Sequence, residues 1–144
     1  VKAVRRYLEE LRDQKIDFVV LPEMFCCPYE TGKFPEYAEE EGGPVWKALS
    51  AYAKEYNIYL VAGSVPEKDD EGHVYNTCYI FDRNGMQIGK HRKTHLFDID
   101  VKGGQSFKES DTLTAGNSGT VFDTEFGKWE LCSVLIFVFQ NYRV

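Results

Sequence analysis

The sequence lacks a long apolar run, an excess of basic residues and a recognisable cysteine motif. A membrane-spanning helix needs about 20 consecutive apolar residues, and no segment approaches that length. The 17 Lys and Arg are outnumbered by 23 Asp and Glu, for a net charge of -6. We therefore expect no membrane association and no binding of nucleic-acid phosphates. The 4 cysteines match no zinc or redox spacing, which favours free thiols in a reducing compartment.

The first 13 residues are charged and amphipathic, unlike a secretion signal. We expect a cytoplasmic protein, with a mitochondrial location as the alternative if a targeting segment is missing. Val1 is not a start methionine, which indicates that the natural chain begins further upstream. The 43% of hydrophobic and 28% of charged residues are ordinary for one globular domain.

Helical and strand patterns alternate along the chain, which predicts an α/β class with a mixed sheet. Val4, Leu8 and Leu11 recur at helical spacing, and Pro44 opens a second helix through residue 56. A polar, aromatic loop is expected over 23–43, and a long ordered loop over 93–114. The strands are predicted over 16–21, 58–65, 74–82, 86–90, 120–124 and 129–139, the third and fourth forming a hairpin through Arg83-Asn84-Gly85.

Three charged positions are candidates for chemistry. Glu23 follows the first strand, where ligands of open α/β sheets bind, so it is suited to a general base. The basic block 90–95 is the second candidate, because a lysine near a reacting carbonyl can stabilise an oxyanion and the block contains both Lys90 and Lys93. Glu109 is the third candidate. The alternative for each is a solvated loop or turn residue.

Two further patterns in the same segments invite a functional interpretation. His91 and His95 are spaced like a metal pair on a helix, but no third ligand motif accompanies them, so we predict no metal site. The loop over 23–43 is rich in apolar side chains, which we interpret as loop packing instead of a substrate box: Met24, Phe25, Tyr29, Phe34 and Tyr37.

Taken together, the blocks resemble the nitrilase superfamily. The resemblance is carried by Leu21-Pro22-Glu23-Met24-Phe25 and by Arg92-Lys93-Thr94-His95-Leu96-Phe97-Asp98. It narrows to the omega-amidase branch through Pro28-Tyr29, Phe34-Pro35-Glu36-Tyr37-Ala38-Glu39, Tyr75-Asn76-Thr77-Cys78 and Phe107-Lys108-Glu109-Ser110. It implies a partial αββα sandwich, about the first half of that fold.

The resemblance also implies roles for the three charged residues. Glu23 matches the general base of the family's Glu–Lys–Cys triad, Lys93 its lysine and Glu109 its supporting glutamate. The implied reaction is hydrolysis of the terminal amide of short dicarboxylate monoamides, such as 2-oxoglutaramate, through a cysteine thioester. The implied substrate is a small-molecule amide. No cofactor is implied, and a homodimer is expected for the full-length family form.

The family's nucleophile is missing. Counted from Gly127-Lys128, the cysteine of the family falls at Val134, whose side chain cannot attack a carbonyl. Cys132 lies about 6.5 Å upstream if the strand is continuous, far beyond the ~1 Å error that such a site tolerates. We therefore interpret Cys132 as a small buried hydrophobe.

The last residues of the sequence offer an explanation for the missing cysteine. In one allowed set of codons for residues 134–144, a single T inserted before the Val134 codon yields Cys-Ile-Asp-Phe-Arg-Phe-Pro-Glu-Leu-Pro-Arg, the missing family motif. Our hypothesis is a partial carbon–nitrogen hydrolase domain over 1–144 whose residues 134–144 are an out-of-frame tail. The alternative is a genuine divergent strand, because residues 134–139 have good β composition. The sequence thus leaves two functions open: an omega-amidase-like hydrolase, or an inactive truncated fragment or pseudoenzyme.

Overall fold

The computed structural model describes residues 1–104, 106–133 and 136–140, with side chains as far as Leu131. The described residues contain three α-helices: Lys2–Glu10 (α1), Phe34–Tyr37 (α2) and Pro44–Tyr56 (α3). Short 3₁₀ turns cover Thr31–Lys33 and Glu109–Asp111. None of the helices in this part of the chain is long and apolar enough to cross a membrane.

Ten strands are found in the same residues: Phe18–Val20 (β1), Tyr59–Val61 (β2), Val65–Lys68 (β3), Val74–Phe81 (β4), Gln87–Arg92 (β5), Asp98–Asp100 (β6), Ser106–Lys108 (β7), Thr120–Thr124 (β8), Gly127–Ser133 (β9) and Ile136–Gln140 (β10). The largest sheet is mixed. β1 pairs with β2 in parallel, whereas β4 pairs antiparallel with β2 and β3 on one edge and with β5 on the other. β8, β9 and β10 form an antiparallel sheet, and β6 pairs with β7.

The sheet of β1 to β5 is covered on both of the faces to which successive side chains of a strand point in turn. Leu60, Tyr79 and Phe81 point to the face on which α1 and α3 pack. Val61 and Ile80, one residue out of step, point to the other face, where they meet side chains of β8 and β9. The molecule is therefore layered as helices, sheet and second sheet, which confirms the predicted α/β class with a mixed sheet.

The two longer helices follow their sequence signals. In α1, Val4 and Leu8 are the buried side chains, four residues apart on one face. Pro44 opens α3, where its missing N–H costs nothing, and Asn57 ends it in the left-handed conformation. Burying a side chain such as Leu49, which is fully enclosed, contributes about 1.5–3 kcal/mol.

Some predicted elements differ in the structure. The strand over 58–65 is two strands, because Gly63 at φ 55° bends the chain between β2 and β3. The loop over 93–114 contains the β6–β7 hairpin. The prediction of a single strand over 129–139 is wrong, because β9 ends at Ser133 and β10 pairs antiparallel with it. β1 is less buried than predicted: the second sheet covers Phe18 through Trp129, but Val20 is exposed.

Gly63 lies against the segment that leads into Glu23, and we expect Gly63→Ala to be strongly destabilising. A Cβ there would overlap the carbonyl oxygens of Pro22 and Leu21, and the positive φ disfavours an L side chain. Together these effects cost about 2–4 kcal/mol. Gly72 is the matched control, because it also has a positive φ but has open space around it. Urea denaturation of both variants measures the difference, and equal losses would contradict the close contact.

Candidate active site

Glu23 lies where β1 delivers the chain to the edge of the sheet. Pro22 ends the strand, and the next residues turn sharply, with Met24 at a positive φ of 48°. The turn is held by a hydrogen bond of 3.0 Å from the backbone N–H of Met24 to Ser64 Oγ, and the Met24 side chain is buried beneath it. Glu23 thereby stands at the carboxyl end of a parallel strand, as the sequence predicts.

Lys93 is the first residue after β5. Its backbone N–H donates to Asn76 O at 2.8 Å, which extends the pairing of β4 and β5 by one step. Its own carbonyl accepts from the N–H of Gly116, also at 2.8 Å. The backbone of Lys93 is thus fixed on both sides, and its side chain is only 5% exposed.

Glu109 is presented by the β6–β7 hairpin. Its backbone N–H donates to Phe97 O at 3.1 Å, and its Oε2 accepts the N–H of Phe97 at 2.7 Å. The side chain is fully buried. A buried carboxylate needs compensating partners, and the next contacts supply them.

The three predicted residues converge. Lys93 Nζ lies 2.9 Å from Glu23 Oε1, 3.1 Å from Glu109 Oε1 and 3.0 Å from Glu109 Oε2. Of the three side chains only Glu23, at 25%, has substantial exposure. The ammonium is therefore clamped between an enclosed carboxylate and one that opens toward solvent.

The electrostatics keep Lys93 charged. Burial works to lower the pKa of its ammonium, but the hydrogen bonds to Glu23 and Glu109 outweigh burial, and the pKa lies above its ordinary value. A lysine in this state does not act as a nucleophile at neutral pH. It can donate hydrogen bonds to a developing oxyanion, which is the chemistry that the sequence predicts for it.

Two contacts of this site were missed at the sequence level. Asn76 Nδ2 donates to Glu23 Oε1 at 2.7 Å, the same oxygen that accepts from Lys93. Tyr29, which we expected to be loop packing, donates its hydroxyl to Glu109 Oε1 at 2.8 Å, with its ring stacked on Phe107. Burial, and then the bond to Glu109, raises the pKa of Tyr29, so its hydroxyl stays a donor.

Among the other members of that segment, the loop-packing prediction holds for Met24, Phe25 and Phe34 but is wrong for Tyr37, whose side chain is exposed. Met24 and Phe34 are buried in one apolar cluster with Val74 and Leu113. Only the order of residues in Pro28-Tyr29 could have drawn attention to Tyr29, and no spacing rule relates it to Glu109, 80 positions away.

Three cysteines have described side chains, and all are free thiols: Cys26, Cys27 and Cys78. Burial raises the pKa of Cys78 to about 12. Burial and then the neighbouring Cys27 do the same for Cys26, also to about 12, and burial raises the pKa of Cys27. Thiols of this kind are poor nucleophiles at neutral pH. Val134, the position at which the family has its cysteine, lies outside the described residues.

His91 does not share a helix face with His95, because His91 is a strand residue of β5. It is buried between the two sheets, and burial lowers its pKa, so the ring is neutral. Its Nδ1 lies 3.2 Å from Thr120 Oγ1, which itself donates to Lys90 O. Within the described residues, no group of three or more side chains could hold a metal ion.

Comparison with known proteins shows the family to which the sequence is similar. The carbon–nitrogen hydrolase family model matches residues 1–137. A hydrolase of Schizosaccharomyces pombe is 53% identical over 115 residues, covering 78% of this chain and 35% of that protein. Human omega-amidase NIT2 is 48% identical over 120 residues, covering 83% of this chain and 43% of the human protein. The chain therefore spans less than half the length of these curated relatives.

Solved structures agree with the family match. Saccharomyces cerevisiae Nit3, a member of branch 10 of the nitrilase superfamily, aligns with a TM-score of 0.73 at 36% identity. The alignment covers 91% of this chain and 46% of Nit3. This likeness confirms the predicted nitrilase-type fold.

Proposed function

Because the chain belongs to the carbon–nitrogen hydrolase family, we propose that it carries the acid–base part of an omega-amidase-like active site. The observation that carries the proposal is the Lys93 ammonium held within 3.1 Å of both Glu23 and Glu109. The proposed substrate class is the terminal amide of short dicarboxylate monoamides, including 2-oxoglutaramate and succinamate. The likeness to the human omega-amidase supports that class.

The two carboxylate oxygens of Glu23 have different hydrogen-bond partners. Oε1 accepts from both Asn76 and Lys93, whereas Oε2 accepts no hydrogen bond from the described residues. Oε2 is therefore the oxygen that is free to take a proton, and Oε1 fixes the direction in which it points. This division supports Glu23 as the general base.

The proposed reaction uses the cysteine thiol that the restored reading frame would place at position 134, where the present sequence has valine. Glu23 Oε2 takes the thiol proton, and the thiolate forms a bond to the amide carbonyl carbon. Lys93 donates to the oxyanion that results. When the intermediate collapses, the C–N bond breaks and Glu23 returns the proton to the leaving nitrogen, which departs as ammonia. Glu23 then takes a proton from water, whose oxygen attacks the thioester carbon. The C–S bond breaks, the acid is released, and Glu23 returns the proton to the departing thiolate.

Glu109 has a supporting role in this scheme. Glu109 contacts Lys93, and its side chain has no access to solvent because it is fully buried. Its charge keeps Lys93 protonated, while Tyr29 and the N–H of Phe97 fix its orientation.

The second candidate is a catalytically inactive fragment or pseudoenzyme. Val134 favours it, since the present sequence offers no thiol at the family's nucleophile position. In that case the Glu23–Lys93–Glu109 cluster forms, but it has no thiol to deprotonate.

The proposed function is tested on the full-length protein with the restored reading frame. We expect release of ammonia from succinamate and 2-oxoglutaramate, and a loss in kcat of about 10²–10³-fold in Lys93→Ala, because one oxyanion donor is removed. Lys47→Ala is the matched control, since Lys47 is an exposed lysine of α3. Failure of the restored protein to hydrolyse any short ω-amide, or full activity of Lys93→Ala, would overturn the proposal.

A further inference from the structure

The strand pair β4–β5 carries a bridging carboxylate on each of its two faces. On one face, Glu23 Oε1 accepts from Asn76 of β4 at 2.7 Å and from Lys93, just past β5, at 2.9 Å. On the other face, Glu67 accepts from Thr77 of β4 and from Arg92 of β5. The residues that hold the two carboxylates are immediate neighbours in sequence, and they alternate between faces as strand residues do.

On the second face Glu67 is almost as completely buried as Glu109 is on the first. Its side chain is 2% exposed. Oε2 accepts from Thr77 Oγ1 at 2.6 Å and from Arg92 Nε at 3.1 Å, and Oε1 accepts from Arg92 Nη2 at 2.8 Å and from Lys90. Burial works to raise the pKa of Glu67, but these hydrogen bonds outweigh it and lower the pKa. Glu67 is therefore ionised and saturated with donors.

Glu67 lies on β3, opposite Tyr75 of β4, so its contacts tie three adjacent strands together. Arg92 is held from two sides, since its guanidinium also lies over the Tyr75 ring at 3.7 Å from the centroid. Thr77 and Arg92 are the cross-strand pair at the end of the β4–β5 ladder. The next residue after Arg92 is Lys93, and the residue before Thr77 is Asn76, which accepts the backbone N–H of Lys93.

We propose that Glu67 is a positioning residue for Lys93: by fixing Arg92 against Thr77 and Tyr75 on one face, it fixes the backbone that delivers the lysine to Glu23 and Glu109 on the other. The inference rests on the proposed function for its meaning in catalysis. Without Glu67, the side chains of Lys90 and Arg92, which are 25% and 30% exposed, turn to solvent. The end of the ladder then loosens, and the Lys93 ammonium loses its ideal contacts while it remains buried.

The test measures the reactivity of the Lys93 amine in this chain, which needs no turnover. Weaker contacts lower the pKa of Lys93, and a pKa lower by about 1 gives about a tenfold larger free-amine fraction at neutral pH. We expect acetic anhydride at limiting concentration to acylate Lys93 about tenfold faster in Glu67→Ala. The site of acylation is read by mass spectrometry of peptides. Glu41→Gln is the matched control, because Glu41 also binds Lys90 but does not touch Arg92.

Arg92→Gln separates positioning from plain electrostatics. Removal of a nearby positive charge, by itself, raises the pKa of Lys93 and slows acylation, whereas loss of positioning speeds it. We expect faster acylation in Arg92→Gln as well, and this variant decides the matter if Glu67→Ala does not fold. Val4→Ala, which weakens the core under α1, should leave the rate unchanged if global unfolding is not the cause.

An unchanged Lys93 rate in both variants, a slower rate in Arg92→Gln, or an equal increase in Glu41→Gln or Val4→Ala would overturn the role of Glu67. None of these results bears on whether the full-length protein hydrolyses an amide, so this inference and the proposed function fail separately.

Discussion

Ammonia release from succinamate is expected to be undetectable with Val134 and to appear once the reading frame that gives cysteine at position 134 is restored at full length. The remaining carboxylates and ammonium can orient water and stabilise charge, but no covalent intermediate can form. In a comparable catalytic unit the loss of the nucleophile alone lowers kcat by about 10⁶-fold. The measurement is enzymatic detection of ammonia with both polypeptides at equal concentration.

Cys132 provides the decisive comparison. It is a residue of β9, which ends one position later at Ser133, and its partner across the ladder is Phe137. In the restored protein we expect Cys132→Ala to keep its activity and replacement of the cysteine at position 134 by alanine to abolish it. Turnover by the present chain that disappears in Cys132→Ala would move the nucleophile to residue 132.

The origin of the tail is decided by the nucleotides around Ser133 to Leu135. We expect a single missing base there, because adding one base to an allowed set of codons yields the family motif Cys-Ile-Asp-Phe-Arg-Phe-Pro-Glu. An in-frame valine codon with no nearby deletion, together with the mass of the C-terminal peptide, would leave the divergent strand and the inactive protein as the correct description.

Much of the fold could be predicted because local patterns decide it. The helix from Pro44 has its start signal in the proline and its end signal in Asn57, and the β4–β5 hairpin has the turn residues Asn84-Gly85 between its two strands. The failures came where local signals are silent. No turn residue separates β9 from β10, so an apolar run was interpreted as one strand, which periodicity alone cannot exclude.

The candidate site, like the fold, could be predicted only in part. Glu23 could be predicted from the chain alone, because it follows a strand end, while Lys93 and Glu109 depended on family resemblance. Asn76 and Tyr29 could not be found, since their roles depend on which atoms meet across 53 and 80 residues of sequence. Glu67 would have been taken for a strand-end surface charge, although it is almost fully buried.

The largest stability effect is expected at Lys93. In Lys93→Met the apolar side chain fills similar space, but Glu109 remains fully buried with no cation beside it. Removing one partner of a buried ion pair costs about 3–5 kcal/mol, because the other charge stays uncompensated. Urea denaturation of this chain measures the loss, and Lys47→Met, at an exposed helix position, is expected to change stability by no more than about 0.5 kcal/mol.

The double variant Lys93→Met with Glu109→Gln tests the reason for that loss. A glutamine at 109 is neutral, and its carbonyl oxygen can still accept from the Tyr29 hydroxyl or the N–H of Phe97, which are the remaining donors. If the cost arises from an uncompensated buried charge, the second substitution should restore most of it, so that the double variant is more stable than Lys93→Met alone. A double variant that is as unstable as the single one, or less stable, would mean that the lysine stabilises the fold through packing of its methylene chain, and that the charge of Glu109 is neutralised in some other way.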